Sequence, residues 1–525
     1  MLEISQLLVL SFFVALGYGV YHGCQGDPRE PPAVSSEIPV IGHLLGMLRY
    51  GFEYFGLQTA DQTDSKKHPN YPIFSLNMLF SKAYVITSPA LLQAAQRNNK
   101  FLSFDPFLMT STERIAGVHS RKVLKLLRGK QSGGDGIAGE IMHAMTPTLF
   151  GTALDRMNER MVELLPPFVD ELGDAPTLDL YSWCQHAITV ASTDATYGPL
   201  NPYKDKVVED AFWDFESNLT PLLVNILPWL TARKAWESRK TMISAILKYY
   251  QNNGPDTGSE LASVRYRRTR DAGIGIEDTA RLETPMAIAL LSNTVPATFW
   301  TLFDLYSRPQ LLHDIRKEIE LNALHVATDG THIIHLADLR DKCPLLVSAF
   351  QEILRTRTTS SPMRCVMKDI LLADQYLIKA GTLLNMPSEA MSRNQDVWGS
   401  TAAEFDPRRY MKPVESVEHP EDRKKDPRRV GGFMAFGVSP IICPGRHFAS
   451  NEILGLAAMI ALRYDISPES GVWTPPQRNS MAIVSIMGPL KEGFKVNVKR
   501  RKEFEEKRWE FQPQEGKGRF PLMIG

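Results

Sequence analysis

The sequence predicts a mainly α-helical protein with small β-sheets, preceded by one N-terminal transmembrane helix. Apolar residues recur at helical spacing over long stretches, most clearly at 158–172, 311–321 and 451–462. Strand-like runs are short and lie at 83–86, 366–372 and 494–498. Together with an uncharged apolar run near the N-terminus, these patterns divide the chain into three parts. They are an anchor (1–25), a proline-rich linker (26–40) and one large domain (41–525).

The apolar run at 4–24 is long enough to cross a bilayer, which takes about 20 residues. A cleaved signal peptide is the alternative, but its apolar region is shorter and follows positive charge. Here Glu3 is the only charge before the run, and Tyr18 is typical of the interfacial end of a span. We therefore predict an uncleaved anchor. The basic residues that follow, such as Arg29 and Arg49, favour a cytosolic body.

The linker is rich in proline, which excludes helix and predicts a semi-rigid spacer leading into the folded body. Its prolines are Pro28, Pro31, Pro32 and Pro39.

Composition excludes several classes of function. The chain has 59 Lys and Arg against 59 Asp and Glu, so its formal net charge is zero and nucleic acid is not expected as a partner. The 12 histidines show no H-E-x-x-H spacing. The five cysteines lie far apart without a C-x-x-C pair, which indicates a reducing compartment rather than disulfides or zinc. They are Cys24, Cys184, Cys343, Cys365 and Cys443.

A glycine pattern at 134–139 matches G-x-G-x-x-G. A dinucleotide-binding site needs a strand before this pattern. A basic, helix-like stretch at 121–128 precedes it instead, so we interpret 134–139 as a loop.

Cys443 has a setting unlike that of an inert core cysteine. Pro444 and Gly445 follow it, and a long apolar helical pattern begins just afterwards. This places its sulfur near a helix N-terminus, whose partial positive charge favours the thiolate. Pro444 and Gly445 allow a tight turn in which backbone N–H groups point at the sulfur. Phe436, seven residues upstream, is placed to pack beside a flat cofactor.

The segment 436–464, FGVSPIICPGRHFASNEILGLAAMIALRY, resembles the haem-binding signature of the cytochromes P-450, F-x-x-G-x-x-x-C-x-G. Phe436, Cys443 and Gly445 match. The resemblance implies the P-450 fold and a haem whose iron takes the Cys443 thiolate as axial ligand. It also implies cofactor contacts from Phe436, Pro444 and Gly445.

Two positions of the segment depart from the signature. Ser439 stands where the family usually has glycine, so the turn is expected to differ slightly. Ile441 stands where a basic residue often meets a haem propionate, so that contact must come from elsewhere.

Two distant elements extend the resemblance. Glu352 and Arg355 lie in an apolar helical pattern at 345–354 and share one face of the helix. The element FDPRRY at 405–410 resembles the family's F-x-P-x-R-F. There Arg409 would complete a Glu-Arg-Arg cluster in which both guanidinium groups grip Glu352. In the family this cluster stabilises the fold under the haem and performs no chemistry.

Arg364 takes the position that commonly reaches a haem propionate in the family. The matched elements occur in the family's order and cover 38–500. The family's W-x-x-x-R helix has no clear match between 114 and 154, so its propionate contacts stay unassigned.

A second apolar stretch predicts a buried distal helix at 285–306. Asn293 and Thr294 interrupt it, and buried polar residues need partners or a function. From the residues alone, Thr294 is expected to bond to a carbonyl one turn earlier, helped by a kink at Pro296. In most P-450 monooxygenases an acid-Thr pair stands here, the Thr bonding the iron-bound oxygen while the acid helps to deliver protons. In this chain Asn293 replaces the acid.

The run at 293–300 resembles the branch with sterol 7α-hydroxylases and prostacyclin synthase. The hydroxylases keep the Thr, whereas the synthase, an isomerase that needs no electrons, lacks it. The resemblance therefore implies oxygen activation, with Thr294 positioning the oxygen ligand and relaying protons. Asn293 would orient water or substrate.

The implied activity is a monooxygenase that inserts oxygen from O₂ into a lipophilic small molecule, whether terpenoid, sterol-like or another specialised metabolite. Electrons would come from NADPH through a separate flavin-containing P-450 reductase, which the basic sets within 121–128 and 423–429 would dock. With the anchor, this implies a single-pass protein of the endoplasmic reticulum membrane whose catalytic domain faces the cytosol.

Two alternatives stay open. One is a haem-thiolate isomerase or dehydratase that rearranges an oxygenated substrate without NADPH. The other is a non-catalytic haem protein that binds or senses a ligand. The substrate and the position oxidised do not follow from the sequence.

Overall fold

The computed structural model describes residues 27–36, 38, 42–51, 53–61, 71–78, 81–128, 136–411, 432–479, 481–482, 484–513 and 522. The predicted anchor, part of the linker and the basic set at 423–429 lie outside the described residues. The architecture is mainly helical with small sheets, as the sequence predicts.

The helices are numbered α1 to α22 in chain order. They are Gly42–Tyr50, Glu53–Asp61, Pro89–Arg97, Asp105–Arg114, Arg121–Leu127, Gly136–Met145, Gly151–Leu172, Leu180–Tyr197, Lys206–Ser217, Leu219–Val224, Pro228–Thr231, Arg233–Gln251, Gly254–Thr257, Glu260–Asp271, Ile276–Leu291, Thr294–Tyr306, Pro309–Asn322, Leu336–Lys342, Pro344–Arg357, Ser388–Ser392, Gln395–Trp398 and Arg446–Arg463.

The strands are numbered β1 to β15 in the same way. They are Ile73–Met78, Ser81–Ile86, Leu102–Ser103, Thr177–Asp179, Leu324–Val326, His332–His335, Met363–Val366, Ile370–Leu372, Tyr376–Ile378, Leu383–Asn385, Gly437–Val438, Ile441–Ile442, Tyr464–Pro468, Lys495–Arg500 and Trp509–Gln512. They form small sheets with the orders β1-β2-β10-β7-β3, β13-β14-β4 and β15-β6-β5, and the two-stranded sheets β8-β9 and β11-β12.

The long periodic segments are helical, as predicted. The stretches 158–172, 311–321 and 451–462 fall within α7, α17 and α22. The single strand predicted at 366–372 is wrong, because β7 ends at Val366 and β8 begins at Ile370. The residues between them form a turn, so apolar character alone did not locate the strand ends.

Residues 27–36 contain no helix, as their prolines predict, but they are not a free spacer. The Val34 N–H donates to the Ser75 carbonyl at 3.0 Å, which ties this stretch to β1. Glu30 accepts from Lys82 at 2.6 Å and from Tyr84 at 2.7 Å on β2. These contacts extend the folded body upstream of residue 41.

The described part of the glycine pattern, 136–139, is not the loop that we predicted. Gly136 is the first residue of α6, which continues through Gly139. The preceding element is the helix α5, not a strand, so the context for a dinucleotide site is missing at this position.

The predicted distal helix begins earlier than expected and is broken. It comprises α15 and α16, separated by Ser292 and Asn293. All 13 residues of α16 are buried, and this helix packs against α8, α19 and α22. Together, α15 and α16 span 31 residues, and an 18-residue apolar stretch within them, with mean hydropathy 1.3, is 78% buried inside the protein. Burial of this extent is typical of the core helix of a globular body.

Candidate active site

Cys443 follows a tight hairpin formed by β11 and β12. Its N–H donates to the carbonyl oxygen of Phe436 at 2.8 Å, which closes the hairpin. Gly437 has a φ of +98°, and a Cβ there would lie 2.5 Å from the carbonyl oxygen of Ile441. Only glycine fits this position. Sequence reasoning missed Gly437, although its place directly after Phe436 was the available signal.

The sulfur of Cys443 is held at the start of α22. Gly445 is the N-cap, and the helix begins at Arg446. Burial raises the pKa of the Cys443 thiol, whereas the backbone N–H groups of Gly445 and Arg446 and the charge of Arg446 lower it. The side chain is nevertheless exposed, so protein surrounds the sulfur closely but leaves one side accessible. Burial outweighs these groups and the pKa of the thiol is raised, so the thiolate would form when a metal ion binds on the open side of the sulfur.

Arg364 lies beside the same hairpin, on β7. Its guanidinium donates to the carbonyl oxygens of Met363 at 2.9 Å and Val438 at 3.4 Å. Its exposed fraction is 6%, and burial lowers its pKa. No carboxylate forms an ion pair with Arg364 among the residues that the structure describes. A buried cation of this kind fits an anionic ligand, such as a carboxylate of a cofactor.

The residues around Cys443 therefore fit a haem. An accessible sulfur would take the iron, Arg364 offers a charge for a propionate, and a Cβ at Gly445 would meet nothing within 4 Å. Phe436 is half-buried and packs at 6.3 Å from Phe433, which leaves part of its ring available to a flat group. Haem iron held by a cysteine thiolate activates O₂ and favours O–O cleavage.

The structure brings Glu352, Arg355 and Arg409 together. Arg355 donates to the Glu352 carboxylate through Nε at 2.8 Å and Nη2 at 2.7 Å. Arg409 reaches the same carboxylate through Nε at 3.1 Å and 3.2 Å. The Asp406 N–H adds a fourth partner at 2.9 Å. Glu352 is 0% exposed, so this carboxylate is compensated in full inside the core.

The remaining donors of Arg355 bind the loop that leads to Arg409. They reach the carbonyl oxygens of Ser392, of Ala402 at 2.7 Å and of Glu404 at 2.9 Å. The cluster therefore joins α19 to the chain segment before the cysteine hairpin and does not itself face a ligand.

Thr294 and Asn293 lie at the break in the long helix. The Thr294 hydroxyl donates to the carbonyl oxygen of Leu290 at 2.8 Å, the bond that the residues alone predict. Pro296 has no N–H, so the carbonyl of Ser292 lacks its helical partner and accepts from the Ser485 hydroxyl at 2.9 Å. The Asn293 amide oxygen accepts from the Ile486 N–H at 2.7 Å.

A buried acid at the same break was missed by sequence reasoning. Glu216 lies near the end of α9, and burial raises its pKa to about 7 although the nearby Ser292 hydroxyl lowers it. That hydroxyl is close to Glu216 but makes no hydrogen bond of good geometry within the described part of the chain. The available signal was the spacing of Glu216 from Val208 and Phe212, which places it on the apolar stripe of α9.

The comparisons with known proteins agree with this geometry. The family model of cytochrome P-450 matches residues 32–494. The cytochrome P-450 monooxygenase nodJ of Hypoxylon pulicicidum is 41% identical, and the match covers 100% of both chains. Cholesterol 7-alpha-monooxygenase of Cricetulus griseus is 25% identical over 90% of this chain and 94% of its own.

Among solved structures, retinoic acid-bound cyanobacterial CYP120A1 superposes with a TM-score of 0.66 at 15% identity. The match covers 90% of this chain and 99% of that one. At this identity the likeness shows the fold, whereas the family model and the relative at 41% identity show the family. The chain belongs to the cytochrome P-450 family of haem-thiolate monooxygenases.

Proposed function

We propose that this chain inserts one oxygen atom from O₂ into a lipophilic small molecule of terpenoid or sterol-like character, with Cys443 as the axial ligand of its haem. The observation that carries the proposal is the pairing of two features. One is the accessible Cys443 sulfur at the start of α22, and the other is the Thr294 hydroxyl at the start of α16, which packs on α22. The name of the 25% identical relative, which acts on cholesterol, supports the substrate class.

In this proposal Thr294 positions the oxygen ligand and hands over protons. Its hydroxyl donates to the carbonyl oxygen of Leu290, so the hydroxyl oxygen can still accept a hydrogen bond from water. The Asn293 amide oxygen is engaged by Ile486, which leaves the amide NH₂ group to orient water or substrate. Asn293 cannot ionise, so the proton needs another source.

We assign that source to Glu216. Glu216 is 4% exposed and its carboxyl lies near the Ser292 hydroxyl. Burial raises its pKa to about 7, so the protonated and ionised forms are both populated at neutral pH. Ser292 is two residues before Thr294, so a proton held at Glu216 is close to the helix break. A catalytic acid whose pKa lies near the operating pH can both release and regain a proton.

Glu216→Gln tests this assignment. We expect product formed per NADPH consumed to fall about tenfold or more, and its dependence on pH near 7 to flatten. Asp214→Asn is the matched control, because Asp214 lies on the same helix and pairs with Lys234 at the surface. An unchanged pH profile in Glu216→Gln would exclude Glu216 as the source.

Electrons are proposed to come from NADPH through a separate reductase that docks on α5. Four basic residues of this region are exposed, and the described residues provide no acidic partner for any of them. They are Arg121, Lys122, Lys125 and Arg128. Exposed unpaired cations steer an acidic partner through long-range attraction.

Membrane attachment is proposed through the apolar run at 4–24, with the catalytic domain on the cytosolic face of the endoplasmic reticulum. A patch of exposed apolar side chains around α10 and α11 supports this attachment, because exposure of such a patch to water is unfavourable and its burial in lipid is favourable. Its members are Val224, Ile226, Leu227, Trp229 and Leu230.

Haem-loaded protein, a P-450 reductase and NADPH under ¹⁸O₂ test the reaction against a panel of sterols and terpenoids. We expect a product heavier than its substrate by one ¹⁸O atom, formed only with NADPH. A product of unchanged mass that forms without NADPH would establish the isomerase instead. A genetic route to the substrate is to inactivate the chain in its source organism and to identify the precursor that accumulates.

A further inference from the structure

Two histidines and an aspartate meet on the surface away from the cysteine hairpin. His325 is on β5, His335 ends β6, and Asp338 is in the first turn of α18. One ligand atom of each residue lies within 4.8 Å of the ligand atoms of the other two. None of these residues takes part in the proposed reaction.

Regular secondary structure holds all three. In the β5–β6 hairpin His325 is opposite Ile333, so His335 is two residues further along β6 and its side chain is on the same face. The His335 N–H donates to the Ala323 carbonyl at 3.0 Å, which fixes this end of the hairpin. Asp338 follows three residues later, at the start of α18, and turns back toward the imidazoles.

The distances to Asp338 lie just below and just above the spacing that a tetrahedral metal ion imposes on its ligand atoms. The His325 Nε2 is 3.0 Å from Asp338 Oδ2, and the His335 Nδ1 is 3.7 Å from the same oxygen. A tetrahedral ion with bonds of about 2.0–2.2 Å holds its ligand atoms about 3.3–3.5 Å apart. The two imidazole rings stack with centroids at 3.8 Å, so their nitrogens are already side by side.

We propose that His325, His335 and Asp338 form a binding site for one divalent transition-metal ion, with zinc as the preferred ion. Two imidazole nitrogens and one carboxylate oxygen are ligands that zinc accepts, and water would complete the coordination. His325 now donates its Nε2 proton to Asp338, so binding requires the tautomer protonated on Nδ1.

Lys342 orients the carboxylate and also limits the affinity. Its Nζ is 2.8 Å from Asp338 Oδ1, which leaves Oδ2 directed at the histidines. An outer partner of this kind fixes a metal ligand, but its positive charge opposes a cation. With three protein ligands, partial exposure and this charge, the site would bind its ion reversibly.

A bound ion would link three consecutive elements whose packing partners are distant in the sequence. β6 pairs in parallel with the C-terminal strand β15, and α18 packs on α19 and α22. The ion would therefore strengthen the attachment of the hairpin and its sheet to α19, which carries Glu352, and to α22, which follows Cys443. Zinc is expected to raise the melting temperature of the protein without altering the haem.

The test uses full-length, haem-loaded protein treated with a chelator and then titrated with Zn²⁺ in a calorimeter. We expect one zinc per chain, bound at least tenfold more weakly by His325→Ala and by His335→Ala. His313→Ala is the matched control, because His313 is an exposed histidine on the neighbouring helix α17. Its binding should equal that of the parent chain.

X-ray absorption at the zinc edge provides a second measurement that the haem iron does not obscure. We expect a first shell of nitrogen and oxygen at about 2.0–2.2 Å with the multiple scattering typical of two imidazoles. Absence of stoichiometric binding, or binding that both histidine variants leave unchanged, would overturn the proposal. In that case the three residues are a hydrogen-bonded surface cluster only.

Discussion

The amide oxygen of Asn293 accepts the backbone N–H of Ile486 at 2.7 Å, and this bond closes the break in the helix that carries Thr294. Beside it, the Ser485 hydroxyl occupies the carbonyl of Ser292 that Pro296 leaves without a partner. The chain segment at 484–487 therefore supplies two donors at the break. One binds the Ser292 carbonyl in place of a helical N–H, and the other binds the Asn293 side chain. Where the family usually has an acid, this protein has a side chain engaged in holding the break together.

Asn293→Leu should destabilise the protein by about 1–3 kcal/mol, because it leaves the partly buried Ile486 N–H without its acceptor. Asn293→Asp keeps an acceptor at the same place and should unfold close to the parent chain. Denaturant unfolding of both variants, followed by circular dichroism, measures the difference. If Asn293→Leu were as stable as the parent chain, the bond to Ile486 would not contribute to stability.

Thr294→Ala should separate NADPH consumption from product formation. Loss of a positioned proton donor typically costs at least about 100-fold, so we expect product per NADPH to fall by that order while NADPH oxidation continues. Thr294→Ser restores the hydroxyl and should recover most of the product. The readout is the ratio of product to hydrogen peroxide. A Thr294→Ala variant that forms as much product per NADPH as the parent would exclude Thr294 as the proton relay.

Arg408 and Arg409 provide a matched pair for the buried cluster. Arg409→Ala removes a partner of the fully buried Glu352 and should cost about 3–5 kcal/mol and much of the bound haem. Arg408→Ala removes an exposed ion pair with Asp314 and should cost less than about 1 kcal/mol. Thermal unfolding and haem absorbance report both. Similar losses in the two variants would contradict the structural role of the cluster.

Glu452 predicts a loss of stability as pH rises from about 4.5 to about 8. Burial raises the pKa of this α22 carboxyl from 4.5 to about 8, although the Ser192 hydroxyl, which donates at 2.7 Å, lowers it. A raised acid pKa stabilises the folded state fully below about 4.5, and this contribution is lost as pH rises to about 8. Glu452→Gln should therefore remove a pH dependence on the order of 4 kcal/mol. Melting temperatures measured at intervals of about one pH unit between about pH 5 and pH 9 test this pH dependence. A slope that persists in Glu452→Gln would assign the pH dependence to other groups.

Arg364→Met should weaken haem retention, because a propionate would lose its charge partner while the buried volume stays similar. Arg364→Lys keeps the charge without the planar fork and should retain an intermediate amount. Transfer of haem to a scavenger globin measures the rate of loss. Equal rates in all three proteins would place the propionate elsewhere.

Much of the fold and part of the site could be predicted from local patterns. The amphipathic periods of α7 and α17 predicted helices correctly because burial on one face reinforces the intrinsic helical preference, whereas α22 is buried on nearly all sides. The tight turn at Pro444 and Gly445 was readable because glycine and proline restrict the backbone whatever surrounds them. The spacing that places Glu352 and Arg355 on one helical face is likewise a local property.

Contacts between distant segments were decided only by the tertiary structure. The break at Ser292 and Asn293 depends on donors 193 residues away, at Ser485 and Ile486. The burial of Glu216 against Ser292 and the meeting of His325 with Asp338 depend on how helices and hairpins pack. The sequence by itself determined the helical class and the tight turn after Cys443, which follow from backbone preference, and the pairing of Glu352 with Arg355, which follows from short spacing. Packing alone decided which polar groups lost water and found partners, because desolvation is a property of the assembled core.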